Sequence, residues 1–86
     1  MTRHERDTAV NKMLDADPAM RKAVVGAWSI VSERIKGRAL LRRPRPTSYE
    51  VHHEVETARN AYLNAVLTNK MPHDATTAAL NSVSLS

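Results

Sequence analysis

Residues 40–50 read LLRRPRPTSYE. Pro44 and Pro46 make this a place where a helix must stop, because each lacks a backbone donor and each pushes the residue before it away from helical angles. Thr47 is followed three residues later by Glu50, the spacing of a capping box in which each side chain bonds the other's backbone N–H. A new helix is therefore expected to begin here. Two long helices joined by so short a connection run antiparallel as a hairpin.

The upstream partner begins at DADP, where Asp17 can cap and Pro18 can take the first helical position, whose N–H has no partner to lose. From there Met20, Val24, Ala27, Val31 and Ile35 recur at steps of three and four, the stripe of an amphipathic helix. Ala19, Ala23 and Gly26 lie beside that stripe, and side chains this small would let a neighbouring helix come close. Gly37 costs about 1 kcal/mol relative to Ala inside a helix. The RALLRR after it consists of good helix formers, so the helix is expected over 18–43.

Downstream, Val51, Val55, Ala58, Tyr62 and Ala65 form a short heptad-like seam with Leu63, Val66 and Leu67 as a second stripe, predicting a helix over 48–69. A shorter helix is expected over 3–15, with Val10, Met13 and Leu14 on one face. Asp74 can cap a last helix over 74–83, leaving 84–86 as a tail. The expected fold class is all-α: a single domain over 1–86, built on an antiparallel helical hairpin with a shorter N-terminal helix and a short C-terminal helix or tail.

A chain of 86 residues buries only about 60 to 65% of the surface its unfolded form exposes. Phe is absent, and the aromatics are one Trp and two Tyr. The side chains available for a private core are thus few and mostly short, which favours completion of the bundle by oligomerisation or by a larger partner. With no cysteine, disulfide stapling and thiolate metal sites are excluded. No apolar run is longer than three residues, as in AVV at 23–25, far short of the roughly 20 residues of a membrane span. MTRHERDTAV carries charge where a signal peptide has its apolar core. A soluble, cytoplasmic protein is expected, of the type met among small accessory proteins of phages and mobile elements.

The net charge of +4 is unevenly placed. Residues 1–33 carry five basic and five acidic side chains, and residues 47–86 carry two basic and four acidic. Residues 34–46 hold Arg34, Lys36, Arg38, Arg42, Arg43 and Arg45 with no acid. One segment accounts for the whole basic balance, as a binding patch would. Arg34, Arg38 and Arg42 follow at i, i+4 and i+8, a ridge along the end of the second helix that Arg43 and Arg45 carry into the turn. Such a ridge can bind successive phosphates and release their counterions. Arginines also pair with carboxylates of protein partners and are enriched at interface cores. A solvated helix end, where cations suit the dipole, is the plain alternative.

YEVHHEVE at 49–56 is the one concentration of metal-capable side chains. On a helix His52 and Glu56 share a face while His53 points about 100° away, so at most two converge where zinc needs three or four. His4 and His73 stand far off in sequence, and the His-Glu-x-x-His spacing is missing. Glu50, Glu54 and Glu56 complement the dipole at a helix start. Neither a phosphate-binding glycine loop nor a nucleophile elbow occurs. No enzyme activity, no cofactor, no metal and no small-molecule substrate are expected.

The function expected from these residues is that of a non-enzymatic helical interaction protein, an inhibitor, adaptor or structural component that self-assembles or binds a larger protein. The alternative is a small nucleic-acid-binding protein contacting phosphates through the Arg34 to Arg45 ridge. No aromatic residue is interleaved with that ridge to stack bases. Trp28 is expected mainly in the core, with a second role open to it as the anchor buried in a partner.

Overall fold

The computed structural model describes residues 2–69 and 72–83. Among these the chain forms four helices and no strand: α1 (Arg3–Asp15), α2 (Pro18–Leu41), α3 (Ser48–Asn69) and α4 (Pro72–Ser82). The fold is all-α. The expected tail, 84–86, lies outside the described residues.

Local chemistry sets the helix starts. Thr2 caps α1 by accepting the Glu5 N–H at 3.2 Å, and Asp17 caps α2 by accepting the Met20 N–H at 3.1 Å. An Asp15–Arg21 ion pair spans the turn between them. Thr47 Oγ1 accepts the Glu50 N–H at 3.1 Å, and Glu50 Oε1 accepts the Thr47 N–H at 3.3 Å, the reciprocal bonds of a capping box.

Three boundaries differ from expectation, the third being the end of α4 at Ser82, one residue short of 83. Helix α2 ends at Leu41 rather than 43, with Arg42 already extended at φ −77° and ψ 146°. Pro44 restricts the residue before it, and the Arg43 guanidinium donates to the Leu40 and Arg42 carbonyls at 3.2 and 2.9 Å, so the last turn is closed early. Helix α4 starts at Pro72, which places Asp74 in its first turn instead of at its cap.

The core takes Val10 and Leu14 from α1, Val24, Val31 and Ile35 from α2, Ala58, Tyr62 and Val66 from α3, and Ala75 and Ala79 from α4. On α3 the buried line runs Ala58, Tyr62, Val66, so the step after Tyr62 is four residues and not the three that would have buried Ala65. Helix α3 is the hub, packing on each of the other three, and its closest association is with α4. The fully buried residues described on α4 are two alanines one turn apart, short enough for the two helix axes to approach, and Leu80 packs beside them. Close approach was expected at Ala19, Ala23 and Gly26 instead, but those residues are exposed.

Tyr62 joins the layers. It is fully buried and is among the largest of the fully buried side chains. Its hydroxyl donates to the Val24 carbonyl at 2.7 Å, and its ring meets Trp28 with centroids 5.4 Å apart at 42°. Burial raises its pKa above the ordinary value, which keeps the phenol a neutral donor.

Helix α1 is held by a polar clasp that sequence patterning did not show. Arg6, only 5% exposed, donates to Asn60 Oδ1 at 3.0 Å and to Asp7 Oδ1 at 2.8 and 3.1 Å. Arg59 approaches the other Asp7 oxygen at 3.8 Å, and Arg3 bonds Glu56 at 2.5 Å. The hydrogen bonds from Arg6, followed by the charges of Arg6, Arg59 and Arg3, outweigh partial burial and hold the Asp7 carboxyl below its usual range.

Both the tyrosine and the clasp can be tested by unfolding. Tyr62→Phe removes one buried hydrogen bond and little volume, so urea unfolding should show a loss of about 1 kcal/mol; Tyr62→Ala should cost about 3 to 5 kcal/mol and abolish cooperative unfolding in so small a domain. Because the folded state lowers the Asp7 pKa, its contribution is present above the unfolded value near 3.9 and disappears as pH falls through the lower folded value. Asp7→Asn should therefore melt below wild type at pH 7, with the gap closing on acidification below about pH 4, as followed by circular dichroism.

Candidate interaction site at the turn between α2 and α3

The connection 42–47 brings the end of α2 against the start of α3 and divides the basic segment between two sides. Ala39, 2% exposed, is the partition, since it lines the surface on both.

On one side Arg42 reaches Glu54 with two parallel hydrogen bonds, at 2.5 and 2.9 Å. That fork is the geometry in which a guanidinium pairs best with a carboxylate, and the Glu54 bonds raise the Arg42 pKa still further above its ordinary value. Arg38 lies next to the pair, around a shallow depression with Ile35, Leu41 and Val83. Of the expected ridge, Arg34 and Arg38 remain exposed without an ion pair among the described residues.

On the other side an open groove of 630 Å³ runs between the helices. Ala39, Leu40, Pro46, Val51 and Val55 give it an apolar lining; Lys36, Arg45, His52 and Ser48 provide the polar lining, and none of its lining residues is acidic. Leu40 is 56% exposed here. Lys36 is 3.9 Å from Glu33, with both side chains more than half exposed, a pairing that leaves its charge available to a ligand. Arg45 has no ion pair among the described residues.

The remaining candidates fall elsewhere. Arg43 is turned onto the backbone of the α2 terminus. Trp28 is half-buried against Tyr62 and lines a 240 Å³ cleft with Val10, Leu14 and Val24, so its ring serves the chain's own packing. The α3 carboxylates, read from sequence as dipole partners, have specific tasks: Glu50 caps, Glu54 holds Arg42, and Glu56 holds Arg3. Among the described residues no three His, Asp or Glu side chains stand together as metal ligands, and no helix is long and apolar enough to cross a membrane. Comparison of the chain with family models, curated proteins and solved structures finds no match.

Releasing Arg42 should restore the ridge. Glu54→Gln is expected to shift the urea unfolding midpoint little, since the pair is 47% and 30% exposed and solvent screens it. The same variant should elute from immobilised heparin at higher salt than wild type; an unchanged elution point would show that Arg42 is not returned to the surface field.

Proposed function

We propose that this protein is a non-enzymatic interaction module whose groove between α2 and α3 receives an apolar segment of a protein partner, with acidic side chains of that segment meeting Lys36, Arg45 and His52. The observation that carries this reading is the lining of the groove: an apolar floor, cationic edges and no carboxylate. An apolar floor inside a polar rim is the usual anatomy of a protein interface, and Arg is a favoured residue there. The groove is wide open, and the groups in its lining suited to proton transfer or nucleophilic attack, the Lys36 amine, the His52 imidazole and the Ser48 hydroxyl, face solvent and are not enclosed. Acid–base catalysis asks instead for groups held in a low-dielectric pocket.

Phosphate binding by the ridge would need Arg34, Arg38 and Arg42 to act in succession. With Arg42 committed to Glu54 and Arg45 on the far side of Ala39, two arginines are left to that task. This division favours a protein partner over nucleic acid.

Two measurements test the proposal together. A photo-crosslinker at position 40, in cells that carry the protein, should give a discrete protein adduct that disappears when Val51→Glu places a carboxylate in the groove. A DNA duplex titrated across a salt series should bind no tighter than about 10⁻⁴ M at physiological salt. Micromolar duplex binding whose salt slope drops by about 0.9 per phosphate that Arg34→Ala/Arg38→Ala no longer neutralises would overturn it.

A further inference from the structure

Helix α2 has a second face, opposite the core, that the single chain leaves uncovered. Ala19, Ala23, Gly26, Ile30 and Gly37 fall in one line along it, at helical steps. Ile30 is 73% exposed, and a Cβ added at Gly26 or Gly37 would meet nothing within 4 Å. Each glycine costs the helix about 1 kcal/mol relative to alanine. Within one chain nothing requires either of them.

We propose that this face of α2 is covered by the same face of a second copy, the two helices antiparallel about a two-fold axis at the level of Trp28. Charge chooses the occupant. Lys22 and Glu33 lie on one edge of the face, and both are exposed. A two-fold antiparallel pair brings like edges together, so Lys22 of each copy stands by Glu33 of the other, and the contact is made twice. Arg34, on the opposite edge, falls beside Ala23 of the second copy, which avoids a like-charge contact. In the same register Ile30 sits beside Gly26 of the second copy and Ala19 beside its Gly37. The glycines give room for the bulk that each helix presents. This surface adjoins the groove at the loose Glu33–Lys36 pair but shares no residue with its lining, so self-association rests on the interaction-module reading only in kind, and either can fail alone.

Sedimentation velocity on the full chain, from micromolar to near-millimolar concentration, is the test. Wild type should rise from 9.6 kDa toward twice that mass. Lys22→Glu and Glu33→Lys should each weaken association by about tenfold or more, because two attractive contacts become repulsive, and the double exchange should restore it. Gly26→Leu should abolish the dimer while thermal unfolding of the dilute monomer stays level or rises. Val51→Glu, in the groove, should leave the dimer intact. A constant 9.6 kDa mass would overturn the proposal. So would a dimer indifferent to all three changes on the α2 face, or one abolished only by Val51→Glu.

Discussion

The burial of Tyr62 between α2 and α3, its ring filling the layer and its hydroxyl bonded to the Val24 carbonyl at 2.7 Å, is the interaction on which the rest of the bundle depends. The chain has no Phe, and the fully buried side chains described on α4 are alanines. One aromatic ring must therefore fill the space where α2 meets the hub helix, and its hydroxyl must be satisfied in a place without water. Donation to a helix carbonyl solves both problems and fixes how far α3 can slide along α2. Trp28 completes the layer by lying against the same ring.

That register determines the site. With Tyr62 opposite Val24, the start of α3 meets the end of α2 where Glu54 can take Arg42 in a fork, and Ala39 becomes the partition between two surfaces. A basic segment continuous in sequence then ceases to act as one patch. One side is partly neutralised by a carboxylate from α3; the other keeps its cations around an apolar floor. The division follows from helical geometry, since residues two apart, such as Lys36 and Arg38, lie on different sides of a helix.

Much of the architecture is legible in the sequence because it depends on local rules. The capping box at Thr47, the cap at Asp17 and the apolar stripe of α2 are consequences of chemistry within a few residues, and they stand where that chemistry puts them. The early end of α2 has a local cause too, since Pro44 keeps Arg43 from helical angles and has no N–H for the Leu40 carbonyl, which the Arg43 guanidinium takes instead. Arg6 is harder to foresee. It continues the line of Val10 and Leu14 by one turn, yet an arginine on an apolar stripe gives no sign of burial until Asn60 and Asp7 are seen to satisfy it.

The sequence by itself determined the helical class, the turn at the prolines and the concentration of positive charge, because propensity, capping and composition act over short separations and need no partner. Only the tertiary structure decided which of those charges are spent and which are presented. Glu54 is twelve residues from Arg42 and Glu56 fifty-three from Arg3, and no periodicity relates them. Such pairings depend on the angle and register at which whole helices pack, and these are set by a few long-range core contacts with Tyr62 at their centre.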